Sequence, residues 1–287
     1  MGRRYSPAEA STSESAHVQR ARRWTDPHLN RRAQGVKHPV WDFLFDYYPI
    51  RAAQLTRWHP GLGNVLVQAS SSPHASYPYY AVSARGDVQL DRRALLEHRG
   101  KDMERIRTVL STLETRTAQF GCFGMHEWAM VYRSPKPRHT LPLRLGERAT
   151  NDVLDSNHLR CTHFDAYRFF TPEAKSLNIS ELEPGLRTEH DQPGCVHVCM
   201  DTYKWAAKMG PVVPGNVLLD AFELAVSARR LDMEASPYDC RALGFDVIPV
   251  ETAEGKAEYV SRQRALAADA APVRRTLISL LDDLLSG

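Results

Sequence analysis

The sequence has little cysteine and no long apolar run. Its five cysteines, Cys122, Cys161, Cys195, Cys199 and Cys240, form no C-x-x-C pair and, being odd in number, cannot all be bridged within one chain. That excludes a disulfide scaffold and points to a reducing cytoplasm. No stretch approaches the roughly 18 apolar residues of a spanning helix, and the N-terminus has no apolar signal core. A soluble, unexported, cytoplasmic protein with no membrane partner is expected. A P-loop, a dinucleotide glycine fingerprint, a G-x-S-x-G elbow and zinc-finger spacing are all missing, which removes those four classes. No repeat with a period of about 20 to 50 residues is visible, which argues against a helical solenoid.

What is present suits a folded protein. The chain has 287 residues, 43% hydrophobic and 25% charged, enough to bury a real core. The net charge of +3 comes largely from the start. In the first 37 residues Arg3, Arg4, Arg20, Arg22, Arg23, Arg31, Arg32 and Lys37 face only Glu9, Glu14 and Asp26, a balance of +5. Residues 1–36 therefore read as a disordered basic arm through which DNA or another anionic partner could be held. Residues 37–287 read as a single, mostly α catalytic domain with minor β content.

Within that domain, Val40 to Tyr48 reads as an aromatic helix ended or kinked by Pro49. Asn64 to Gln68 is the one convincing strand, and Tyr77-Pro-Tyr-Tyr80 reads as a loop that covers a site. Asp91 to Thr117 has a helical rhythm broken near Gly100, which predicts two helices. Gly121 to Tyr132 is apolar nearly all round, so His126 and Glu127 cannot both be casually exposed. After a loop through Pro135, Pro137 and Pro142, helices are expected at about 151–159, 163–170, 196–208, 214–235 and 257–286. The last carries an amphipathic leucine stripe that reads as core.

The stretch from Cys161 to Trp205 concentrates the chemistry. It packs His163, Asp165, His190, Asp191, His197, Asp201 and Lys204 among Tyr167, Phe169, Phe170, Tyr203 and Trp205. Titratable groups beside apolar neighbours lose hydration unless they are paired, metal-bound or shifted in pKa, so such a cluster marks a site. On a helix beginning at Cys195, His197, Asp201 and Lys204 or Trp205 project from one face. His197 and Asp201, four apart, could chelate one ion, and His163 with Asp165 or Glu223 from a second helix could complete an imidazole–carboxylate site of the iron, manganese or zinc type. A plain hydrogen bond between His197 and Asp201 would explain the same spacing. Asp165 sits beside three aromatics and Arg168, a setting for a water-activating carboxylate against a stacked planar substrate, or for a simple Asp165–Arg168 pair. His126-Glu127 opens like a zincin signature, but Met130 stands where the second histidine is needed, so that protease reading fails. Glu223 reads as the inward carboxylate of its helix, with Arg229 and Arg230 as salt-bridge partners or solvent-facing charges.

Several runs, Lys37-His-Pro-Val-Trp-Asp-Phe-Leu-Phe-Asp-Tyr-Tyr48, Arg57-Trp-His-Pro-Gly61, Gly121-Cys-Phe-Gly-Met-His-Glu-Trp-Ala-Met-Val-Tyr132, Thr162-His-Phe-Asp-Ala-Tyr-Arg-Phe-Phe-Thr171, Gln192-Pro-Gly-Cys-Val-His197, Met200-Asp-Thr-Tyr-Lys-Trp205 and Ala235-Ser-Pro-Tyr-Asp239, resemble a bacterial family labelled 3-methyladenine DNA glycosylase. The resemblance spans about Lys37 to the C-terminus. It implies hydrolysis of the N-glycosidic bond of an alkylated purine flipped out of DNA, with no cofactor. In that reaction Asp165 or Glu127, with His163 and His126, would act at the sugar. Tyr167, Phe169, Phe170 and Trp205 would stack the base, Lys204 with the arginine-rich arm would meet phosphate, and Arg168 and Tyr203 would add to the substrate-binding surface.

A second expectation comes from the residues themselves: a helical, non-haem metal-dependent oxidase or hydroxylase acting on a small polar molecule, with iron or manganese held by His197, Asp201 and Glu223 together with His163 and Asp165, and with His126 or Glu127 as a further ligand. A third is a binding protein that captures a planar ligand without turnover.

Overall fold

The computed structural model describes residues 2–48, 50–134 and 141–286. The break expected at Pro49 and the loop at Pro135 and Pro137 lie outside the described residues. The protein is mostly α, as composition and periodicity predict, and it divides into two compact units rather than into an arm and one domain. One unit comprises Met1–Leu110, Thr202–Glu223 and Val273–Gly287; the other comprises Ser111–Asp201 and Leu224–Pro272.

The first unit begins with β1 (Arg4–Tyr5) and α1 (Pro7–Ala33), so the expected disordered arm is a 27-residue helix. Its start is fixed by a capping box. Ser6 caps the Glu9 amide while the Glu9 carboxylate accepts from the Ser6 amide at 2.9 Å, and Pro7 occupies the first turn, where its missing N–H loses nothing. The buried positions His17, Ala21, Thr25 and His28 recur every three or four residues along one face. Part of the charge that suggested an arm is paired within the unit. Arg20 Nε donates to Glu223 at 2.9 Å and its terminal nitrogen to Asp220 at 2.8 Å. Arg31 binds Asp42, which also takes His28 Nδ1 at 2.9 Å. Burial pushes the Asp42 carboxyl up, but Arg31, His28 and the His38 amide outweigh it and bring the pKa down to about 2.

The aromatic run yields only short helices, α2 (Phe43–Asp46) and α3 (Ala52–Leu55). A small sheet follows from β2 (Val65–Leu66), β3 (Tyr80–Val82) and β4 (Val88–Leu90), in the order β1-β2-β4-β3, with β1 parallel to β2 and the other pairs antiparallel. Trp58, Leu66 and Val88 form the core under this sheet. The two helices expected around Gly100 are one, α4 (Arg92–Thr115). An interior glycine weakens a helix by only about 1 kcal/mol, which the buried Leu95, Met103, Ile106 and Leu110 on this helix offset.

The second unit contains five short helices, α5 (His126–Ala129), α6 (Gly146–Asp155), α7 (Phe164–Tyr167), α8 (Pro172–Lys175) and α9 (Arg187–His190). Three further long helices, α10 (Val196–Met209), α11 (Gly215–Glu234) and α12 (Ala253–Leu285), contribute residues to both units, as α4 does. Among the described residues no helix is long and apolar enough to cross a membrane.

Candidate metal centre

The second unit brings two groups of histidine and carboxylate together, His126 with His197 and Asp232, and His163 with Asp165 and Asp201. Within each group one donor atom per residue lies within 4.8 Å of the others. Donors bonded at about 2.0–2.2 Å to a single ion stand roughly 3–4 Å apart, so small side-chain movements suffice to close either set.

Local structure explains the first group. Trp128 Nε1 donates to the Ala235 carbonyl at 2.8 Å, which ties α5 to the end of α11 and sets His126 against Asp232. The turn into α5 depends on Gly124, at φ +68°, where a Cβ would meet the Tyr259 ring at 3.0 Å. His126 Nε2 and Asp232 Oδ1 approach to 2.6 Å, yet neither atom has a hydrogen-bond partner of acceptable geometry. On the opposite side, Arg229 reaches Asp232 Oδ2 at 2.5 Å and Glu127 Oε1 at 3.0 Å, and all three side chains are almost wholly buried.

In the second group His163 precedes α7, and its Nδ1 lies 2.9 Å from Asp191 Oδ1. A carboxylate that takes the Nδ1 proton leaves the Nε2 lone pair for a ligand, the arrangement that orients metal-binding histidines. That Nε2 lies 3.8 Å from Asp201 Oδ2. Arg187 bridges the acids, bonded to Asp165 and placed 3.2 Å from Asp191 and 3.1 Å from Asp201. Between the groups, the His197 ring stacks on His163 at 5.3 Å and 7°, and meets His126 edge-on at 4.2 Å.

The electrostatics favour neutral imidazole at the middle. Burial, then the neighbouring His126 and His163, hold the His197 pKa well below its ordinary value. For His126 burial also opposes the charged form, but Asp232 and then Glu127 outweigh it and raise the pKa. Asp232 is lowered, because His126 and Arg229 more than offset its burial. A cavity of ≈ 20 Å³ touches His126 and His197 and is also lined by Cys122, Cys161, Cys195 and Phe170. That is space for about one water molecule. Burial pushes Cys161 up to about 12 and Cys195 well above its usual range, so these thiols stay protonated at neutral pH.

Several expectations need correction. His197 and Asp201 do not share one three-residue group; they fall into adjacent ones. Glu223 belongs to neither and pairs with Arg20 in the first unit, while Arg229 takes Glu127 and Asp232, and Arg230 takes Glu234. Asp165 bonds Arg187. The aromatics form no single wall. Tyr167 and Phe170 pack on each other at 5.2 Å, and Arg168 lies over Phe169 at 4.6 Å. Tyr203 is fully buried against Tyr48 and Phe222, and Lys204 covers Trp205 at 4.9 Å, both in the first unit. Sequence reasoning left out Arg187 and did not assign Asp232 or Asp191 a role in the site. The i,i+4 spacing of Arg187 and Asp191 was the available signal.

No protein-family model matches the chain, and no similar curated protein or solved structure was found.

Proposed function

We propose that the protein is a non-haem metalloenzyme in which His126, His197 and Asp232 hold one first-row divalent cation and His163, Asp165 and Asp201 a second. The observation that carries this is the convergence of two three-residue donor sets on either side of the stacked His163–His197 pair. Imidazole and carboxylate donors suit iron or manganese. Asp191 orients His163, Arg187 and Arg229 fix the carboxylates, and the small cavity beside His126 and His197 admits a molecule the size of water or dioxygen. A bound cation would act there as a Lewis acid or redox centre, of the kind used by oxidases and hydroxylases acting on a small polar molecule.

The test is elemental analysis of the purified, untagged protein after growth in metal-replete medium. Near-stoichiometric iron or manganese is expected, with one equivalent lost in His126→Ala/Asp232→Ala and the other in His163→Ala/Asp201→Ala. Folded protein that carries no metal and takes up none on dialysis against Fe(II) or Mn(II) would sink the proposal. The base-releasing activity implied by the family resemblance is a second reading, favoured by the partly accessible Asp165 carboxylate, 20% exposed beside Arg187. Release of 3-methyladenine from alkylated DNA by metal-free protein, abolished in Asp165→Asn, would support it instead.

A further inference from the structure

The small cavity beside His126 and His197 lies wholly within the second unit, and its lining also holds Arg160, Thr162 and Tyr259, which the proposed metal centre does not use. All three carry hydrogen-bond donors with nothing to donate to. The Tyr259 hydroxyl is fully buried and finds no partner of acceptable geometry among the described residues. The neighbouring Cys122 thiol is a weak sulfur acceptor and already takes Gln263 Nε2 at 3.3 Å. Thr162 is half-buried, and its hydroxyl makes no hydrogen bond among the described residues. Arg160 is exposed at the mouth with its stem against Gly121, where a Cβ would meet Arg160 Cδ at 3.2 Å. Its guanidinium joins no ion pair or hydrogen bond among the described residues. A buried donor left unpaired costs the full desolvation of the group, so native structures keep few of them, and one that lines a cavity points to a ligand.

The charges around the cavity suit a negatively charged oxygen. No carboxylate is among its described lining residues. The acids whose fields reach its walls, Asp191 and Asp232, are already engaged, Asp191 by His163 and Arg187 and Asp232 by Arg229. Burial, and then Cys122, hold the Tyr259 pKa well above its ordinary value, so the phenol remains a donor at neutral pH. Two hydroxyls and a guanidinium match the two oxygens of a carboxylate, which accepts short O–H···O bonds and pairs side-on with a guanidinium. The cavity volume of ≈ 20 Å³ sets the size of what enters. It has room for one oxygen and not for a tetrahedral phosphate, so the second oxygen and the rest of the molecule must lie at the mouth beside Arg160.

We infer that the cavity seats one oxygen of a small carboxylate, with Tyr259 and Thr162 donating to the group and Arg160 pairing with it at the mouth. That this carboxylate is the substrate rests on the metal-centre proposal; its binding does not. Isothermal titration of the full-length protein, freed of metal by a chelator and dialysed clear of it, with formate, acetate, acetamide and inorganic phosphate tests the binding. Formate or acetate is expected to bind at least tenfold more tightly than phosphate, and acetate at least tenfold more tightly than acetamide, its neutral isostere. Arg160→Gln and Tyr259→Phe should each weaken the carboxylate at least tenfold. Tyr259→Phe should melt at the parent's temperature or above, because it removes a hydroxyl that the folded chain leaves unpaired; a lower melting temperature would make the hydroxyl structural and overturn its role here. In Mn(II)-loaded protein the carboxylate should reduce the relaxation of bulk water by the metal, since it fills the space beside His126 and His197; unchanged relaxation would overturn its place as substrate. The inference fails if neither carboxylate binds, if phosphate or acetamide binds as tightly, or if both variants bind as the parent does. Protein that takes up no iron or manganese sinks the metal centre alone, whereas parent-like carboxylate binding by the variants sinks this inference alone.

Discussion

Replacing Arg229 by methionine should affect stability by an amount that depends on whether metal is present. The guanidinium is 1% exposed and stands 3.0 Å from Glu127 and 2.5 Å from Asp232, whose side chains are 6% and 0% exposed. Removing one member of a buried ionic group leaves the others without their counter-charge, which typically destabilises by about 3–5 kcal/mol. Methionine fills most of the volume, so loss of packing adds little. If Asp232 ligates a divalent cation through the oxygen that faces His126, the cation supplies part of the missing positive charge. The destabilisation should therefore be largest in chelator and smaller in excess Mn(II). By linkage, a difference of about 1.4 kcal/mol between the two conditions corresponds to tenfold tighter Mn(II) binding by the variant. Urea unfolding of both proteins, with EDTA and with Mn(II) at fixed concentration, gives all four values. A penalty below about 1 kcal/mol in EDTA would refute the buried-charge argument, and an equal penalty in both conditions would refute ligation by Asp232.

Deleting residues 1–33 should lower the melting temperature or abolish folding, because α1 buries Ala21, Thr25 and His28; a truncated protein as stable as the parent would mean that the helix is dispensable. Asp42 gives a pH dependence. Its folded pKa of about 2 lies below the ordinary 3.8, so its contribution is complete above about pH 4 and is lost as the pH falls toward 2. The amount is on the order of 2 kcal/mol, and stability of Asp42→Asn measured against pH should be flatter than the parent's over that interval. Gly194→Ala should destabilise by about 1–3 kcal/mol in chemical denaturation, since its Cβ would stand 2.6 Å from the Gln119 carbonyl, a backbone atom that cannot rotate away. A change within 0.5 kcal/mol would mean that the turn before α10 relaxes freely.

The elements that the sequence reveals are those whose periodicity outlasts local noise. α10, α11 and α12 fall within a few residues of expectation because each repeats its apolar positions over several turns. α1 escapes the same reasoning because its buried face is His17, Ala21, Thr25 and His28, none strongly apolar, while its arginines dominate the composition. Arg20 pairs with Asp220 and Glu223, about two hundred positions away, and Arg31 with Asp42, just beyond the basic stretch, so the charge looks unopposed in the sequence. The site follows the same logic. His126, His163, Asp165, His197 and Asp201 stood out through local clustering with aromatics. Glu127 and Arg229 meet across 102 positions, and no spacing rule reaches that far. No spacing rule ties Asp232 to His126 either, and the neighbouring residues on its helix read as core.

The thiols beside the two donor sets bear on which metal the proposed centre would take. Cys122, Cys161 and Cys195 line the cavity that touches His126 and His197, a position from which thiolates would favour zinc or an iron–sulfur cluster. Burial raises the pKa of all three, and none belongs to a convergent donor set among the described residues. Each donor set is instead nitrogen and oxygen, with Arg187 and Arg229 pairing the carboxylates that a cation would also engage. Arg187 takes oxygens of Asp165 and Asp201, so an ion entering that set would compete with a guanidinium, whereas Arg229 holds Asp232 Oδ2 and leaves Oδ1 facing His126.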